Sequence, residues 1–122
     1  MENINQLISG GISVLISFLF FIAGLIQYLF PPKKISHLYG YRTPRSMKNQ
    51  ENWNFAQPMN AKALMYTSVI YLTMSLFINL ILGYFFPNLD TYYTVPIILV
   101  VLTIIGMFFY CEKKLKKFEE GN

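Results

Sequence analysis

Arginine, carboxamide, hydroxyl and indole side chains crowd into one stretch, Gly40-Tyr41-Arg42-Thr43-Pro44-Arg45-Ser46-Met47-Lys48-Asn49-Gln50-Glu51-Asn52-Trp53-Asn54-Phe55-Ala56-Gln57. Arg42 and Arg45 offer planar forks of donors that match a carboxylate or a phosphate. Gly40, between Tyr39 and Tyr41, permits a tight bend, and Thr43 is expected to be extended because it precedes Pro44. Ser46 is placed to cap a helix, or Asn49 if the helix starts later. From Met47 to Gln57 the pattern is amphipathic, with Met47, Trp53 and Ala56 toward one side and Lys48, Glu51 and Asn52 toward the other. An Arg-Thr-Pro turn beside such a helix would form a hydrogen-bonding pocket, so the expected binding residues are Arg42, Thr43, Pro44, Arg45, Asn49, Asn52 and Trp53. The plainer reading is that Lys33, Lys34, Arg42, Arg45 and Lys48 satisfy anionic lipid head groups while Trp53 sits at the interface. Thr43, Asn49, Gln50, Asn52, Asn54 and Gln57 exceed what lipids require.

Other chemistry is poorly supplied. A metal site needs several converging ligands, and the chain has one histidine, His37, and one cysteine, Cys111, far apart. His37 reads as a surface loop residue, and Cys111 can form no internal disulfide. Ser36, Thr43 and Ser46 share their loop with Glu51 as its one carboxylate, and no motif ties them together. No catalytic residue, metal or cofactor is expected, and the protein reads as a non-enzyme.

The elements that position the stretch are written in the distribution of charge. Hydrophobic residues make up 54% of the 122-residue chain and charged residues 13%, which points to lipid as the solvent. Leu7–Phe30, Ala63–Phe86 and Thr91–Cys111 contain no charge at all. Each reaches the roughly 20 residues that cross a hydrocarbon core. The reading is an all-α integral membrane protein: three transmembrane helices, near 7–30, 63–86 and 92–111, plus a short cytoplasmic interfacial helix. Residues 1–122 then form a single membrane domain, with a signature loop at 31–62 and a basic tail at 112–122. The first run lacks a basic leader and ends in Phe30-Pro31-Pro32, a poor cleavage context, so it is expected to remain in the mature protein. With no charge inside a span, a proton- or ion-coupled transport mechanism lacks its usual groups.

All ten Lys and Arg residues lie in 31–62 or after Cys111. The positive-inside rule therefore puts both basic segments in the cytoplasm and the N-terminus outside, in a plasma membrane. The formal charge of +4 belongs to that one side. Anionic head groups are its natural partner, and it is no argument for nucleic acid.

Ser9, Ser13 and Ser17 recur every four residues on one face of the first helix, where small side chains let helices approach closely. The same stripes would serve self-association. Asn79 lies at about the depth of Ser13 in an antiparallel neighbour, and a hydrogen bond to the serine stripe is expected; Gln27 lies too far toward the other side to reach it. Pro31-Pro32 ends the first helix, and Pro58 is expected to separate the short cytoplasmic helix from the second span. Asn88 and Asp90 mark a short external turn that makes the second and third helices antiparallel. Tyr84, Phe85, Phe86, Tyr92 and Tyr93 form one aromatic belt, and Tyr39, Tyr41, Trp53 and Tyr110 the other. The third helix is expected to continue through Glu112–Glu120, supported by Glu112–Lys116 and Lys116–Glu120 pairs, as a stop-transfer and lipid-contacting segment.

Gly40-Tyr41-Arg42-Thr43-Pro44, Ser46-Met47-Lys48-Asn49, Glu51-Asn52-Trp53 and Ala56-Gln57 together resemble the signature of the SdpI-type immunity family of bacterial integral membrane proteins. The resemblance covers roughly Gly24–Leu82. Where family members often place a basic residue and then a glycine after this signature, the chain has Pro58 and Ala61-Lys62-Ala63. The resemblance implies a minimal form of the family, without the extra spans some members carry. It implies protection of the cell from a secreted, membrane-active peptide toxin, with a cytoplasmic repressor protein as a second partner. Two other readings compete: a membrane adaptor that recruits a cytoplasmic protein with no toxin role, and a lipid-processing enzyme.

Overall fold

The computed structural model describes residues 2–88 and 92–121, with side chains from residue 4 onward, and consists of three helices. They are α1, Glu2–Leu29; α2, Gln50–Phe85; and α3, Thr94–Glu120. All three are long and apolar enough to cross a membrane, and no strand occurs among the described residues. Lipid-level hydrophobicity all round, interrupted by narrow polar stripes, is the pattern of helices that face acyl chains on most sides and one another on the rest. Val14, Phe18, Leu19, Ile70, Phe77, Leu80, Val101 and Phe109 accordingly point outward.

α1 and α2 run antiparallel along a polar seam. Ser9, Ser13, Ser17, Ser68, Ser75 and Asn79 are all buried there. Ser13 Oγ meets Ser75 Oγ, and Ser17 Oγ donates to the Ser68 carbonyl at 2.8 Å. At Gly24 the helices touch so closely that a Cβ would stand 2.9 Å from the Ala61 carbonyl oxygen, Leu64 Cβ and Met65 Cγ. The serine stripe therefore packs helix on helix, as its spacing predicts.

Asn79 does bond to α1, but not to that stripe. Its Nδ2 donates to the Gln6 carbonyl at 3.0 Å, and Gln6 Nε2 donates to the Asn79 carbonyl at 3.3 Å. The register explains the difference: Ser75, one turn nearer the loop, already faces Ser13, so Asn79 falls opposite Gln6. α3 packs on α2 at both ends. Tyr71 Oη donates to the Pro96 carbonyl at 3.1 Å, and Tyr92 Oη reaches the Leu82 and Phe86 carbonyls that close α2. Near the loop, Ala56, Met59 and Ala63 pack with Cys111 and Leu115. Asn88 is exposed in a turn, and Asp90 of the expected external turn lies outside the described residues.

The separate interfacial helix does not form. α2 begins at Gln50 and passes through Pro58 without a break. Proline there deletes one helical bond and crowds the preceding turn, a loss of about 3 kcal/mol in an exposed helix. Here Trp53, Ala56, Gln57, Met59, Asn60 and Ala61 are buried on both sides of Pro58. Tertiary packing holds both halves on one axis and outweighs the local penalty.

Candidate functional site

The connection between Leu29 and Gln50 has no regular structure, yet its polar groups are systematically paired. Gly40 adopts φ of 104°, where a side chain is strained, and a Cβ would lie 2.5 Å from Gln57 Oε1 and 2.7 Å from Pro32. That close approach lets the Gln57 carboxamide dock on the Tyr41 main chain. Its Oε1 accepts from the Tyr41 N–H at 2.7 Å, and its Nε2 donates to the Tyr41 carbonyl at 3.0 Å. Gln57 Oε1 also accepts from Gln27 Nε2 at 2.9 Å, and Gln27 Oε1 accepts from Asn60 Nδ2 at 2.9 Å. A buried carboxamide relay thus joins α1, α2 and the loop, and each member answers another's need for a partner.

Thr43 and Ser46 close the next turn. The Thr43 N–H donates to Ser46 Oγ at 2.8 Å, and the Ser46 N–H donates to Thr43 Oγ1 at 3.1 Å. Ser46 is thereby committed, and Asn49 caps α2, its Oδ1 accepting from the Asn52 N–H at 2.8 Å. Trp53 is fully buried, its indole N–H donating to the Pro32 carbonyl at 2.7 Å. It is a pin under the loop, with no face left for the interface expected of it.

The loop is also latched to α3. Arg45 lies 3.0 Å from Glu119 Oε2 and 3.6 Å from Glu112 Oε2, and Lys48 Nζ lies 2.6 Å from Glu119 Oε1. Asn52 Nδ2 donates to the Arg45 carbonyl at 2.9 Å and to Glu119 Oε2 at 3.3 Å. Tyr41 Oη donates to Glu112 Oε1 at 2.7 Å. Burial and the bonded Glu112 carboxylate raise the Tyr41 phenol well above its ordinary range, so it remains a donor. The Lys48 ammonium, with Arg45 behind it, holds Glu119 below the usual carboxylate range. Phe118 stacks on Phe55 with ring centroids 4.1 Å apart.

Of the seven residues expected to bind, Thr43, Arg45, Asn49, Asn52 and Trp53 are brought together, each on a partner within the chain, although Asn49 stays exposed as it caps α2. Arg42 and Pro44 are exposed, and Arg42 donates to the His37 carbonyl. Lys33, Lys34, Arg42, Lys62, Lys113, Lys114 and Lys117 make no ion pair among the described residues. Sequence reasoning missed the tail. Glu112 does not pair with Lys116; it turns to Tyr41 and Arg45, while Lys116 lies 4.0 Å from Glu120. The available signal was the spacing of Glu112 and Glu119, two turns apart on one face of α3, facing an arginine-bearing loop.

The model of the SdpI/YfhL protein family matches residues 33–111, from the start of the loop through the buried Cys111. The uncharacterized protein YfhL of Bacillus subtilis (strain 168) is 34% identical over 110 residues, covering 90% of this chain and 84% of that protein. No solved structure matches.

Proposed function

This chain belongs to the SdpI/YfhL protein family, and we propose on that premise that it is a membrane immunity protein, protecting its cell against a membrane-active peptide toxin. The signature loop and the α3 tail lie in the cytoplasm of a bacterial cell, the N-terminus lies outside, and the loop reports toxin occupancy to a cytoplasmic repressor protein. Orientation is supported by the gathering of every Lys and Arg at one end of the bundle.

The observation that carries the reading is that one loop is tied to all three helices. Gln27 of α1, Gln57 of α2 and Glu112 and Glu119 of α3 converge on Tyr41, Arg45 and the groups around them. A peptide that enters the bilayer and displaces any helix would strain these bonds, which gives occupancy a route to the far side. Arg42 and Pro44, exposed beside that network, are the proposed contact for the repressor. Catalysis is disfavoured because the Ser46 hydroxyl accepts from Thr43 and donates to main-chain carbonyls, which engages its oxygen and its proton.

Cells with and without the gene, challenged with secreted membrane-active peptides, test this. Survival is expected to fall without it, and Arg42→Ala should release a membrane-held repressor while the bundle stays folded. Equal survival across the peptides would sink the immunity reading, and repressor recruitment in those same cells would favour the adaptor.

A further inference from the structure

α2 and α3 touch at Tyr71–Pro96 and around Cys111, and a crevice opens beside those contacts. The crevice is a groove of about 700 Å³, within the size range of sites for small molecules. Phe55, Pro58, Met59 and Ala63 line it from α2, and Gly106 and Met107 from α3. Lys114 stands at its loop end and Lys62 midway along the α2 side, which runs from Asn54 to Ile70. From Lys62 the lining continues to Ile70, eight residues or about 12 Å deeper into the apolar layer. Deeper than Lys62 the lining is mainly apolar, with Tyr66, Thr67 and Thr103 as its polar members, and toward the surface it is cationic.

The two lysines keep uncompensated charge, although Lys114 Nζ donates to the Tyr110 hydroxyl at 3.3 Å. Glu112, Glu119 and Glu120 are taken by Arg45, Lys48 and Lys116, and neither Lys62 nor Lys114 makes an ion pair among the described residues. Each rests near a ring instead: Lys62 Nζ is 5.9 Å from the Tyr28 centroid and Lys114 Nζ 5.5 Å from that of Tyr110. A second copy is a poor occupant. Copies inserted in one membrane share an orientation, so their lysine-bearing ends would meet at the same level and repel.

We propose that this groove is a site for one anionic phospholipid of the leaflet that meets the loop, with an acyl chain along Ala63, Ile70, Gly106 and Met107 and its phosphate between Lys62 and Lys114. The head-group charge complements the lysines, and the chain fills a crevice that the helices leave open. The site stands apart from the toxin reading and survives or fails without it.

Gly106 provides a clean test, because it lines the groove and a Cβ there meets nothing within 4 Å. Gly11 on α1 is equally open and lies outside the groove, so Gly11→Leu is the control. The full chain, purified in detergent, is titrated with phosphatidylglycerol or phosphatidylcholine and bound lipid is counted by native mass spectrometry. The expected result is one retained phosphatidylglycerol, weakened roughly tenfold or more by Gly106→Leu and untouched by Gly11→Leu. A Lys62→Gln/Lys114→Gln variant, which keeps the groove, should reduce phosphatidylglycerol to the phosphatidylcholine level. Equal retention of both lipids by the unaltered protein overturns the proposal. So does a phosphatidylglycerol adduct that persists in Gly106→Leu, or a dimer that Gly106→Leu dissolves.

Discussion

The two faces that α2 presents to its neighbours are built on opposite principles. Toward α1 it offers Ser68, Ser75 and Ala61, and α1 answers with Ser13, Ser17 and Gly24, so main chains approach until a single added carbon would collide. Toward α3 it offers Phe55, Met59, Thr67 and Ile70, and α3 answers with Thr103 and Met107, and beside the contacts near Cys111 a groove remains. In lipid there is little hydrophobic drive to close such a gap, since acyl chains are as apolar as the side chains they replace. The α1–α2 pair closes into a seam there, and the α2–α3 pair leaves a crevice.

Substitutions can break that contrast. The largest effect is expected from Gly24→Leu, which overpacks the seam and should destabilise the protein by about 3 kcal/mol, whereas Gly106→Leu should cost nothing measurable. Unfolding of both variants in mixed detergent, followed by circular dichroism, compares them directly; equal tolerance would erase the distinction between seam and groove. Ser13→Ala removes the Ser75 contact and should cost about 0.6 kcal/mol in the same assay. A loss above about 2 kcal/mol would mean that the seam rests on hydrogen bonds and not on close approach.

The smallest effect concerns the latch between the loop and α3. The folded pKa of Glu119 lies below its unfolded value. Its tie to Lys48 and Arg45 therefore contributes above the unfolded pKa and is lost as pH falls through the folded one. Protection factors of the last turns of α3, which divide out the intrinsic pH dependence of amide exchange, should be high at neutral pH and fall below the ordinary carboxylate range. Glu119→Gln should show low protection at both, and a pH response of protection surviving in that variant would place the switch elsewhere.

The three helices are legible in the sequence because a run of about twenty uncharged, mostly apolar residues suits a bilayer crossing and little else. The continuity of α2 is not. Pro58 carries a local instruction to stop, and only the burial of Trp53 and Ala56 before it and Met59 and Asn60 after it overrules that instruction. For Asn79 the sequence points to the right neighbouring helix and the wrong residue, since depth in a bilayer is readable from sequence to about a turn and hydrogen-bond register is not. Glu112 reads as a partner for Lys116 on its own helix, because local spacing is visible in a sequence and a fold-back onto Arg45 is not. The polar surplus of the loop does single out the residues that matter to its shape, although Thr43, Asn52 and Trp53 spend their groups inside the chain.

Gln57 holds the loop by the Tyr41 main chain, donor to acceptor and acceptor to donor, in the manner of one rung of a sheet. A rung of that kind is blind to side chains. The preceding segment from Lys34 to Leu38 can therefore drift in sequence, or accept an inserted tag, without releasing the clamp behind it. Gly40 cannot drift with it: any other residue there would put a Cβ against Gln57 Oε1. Gly40 is in this sense the point of the loop where the main chain leaves no room for exchange.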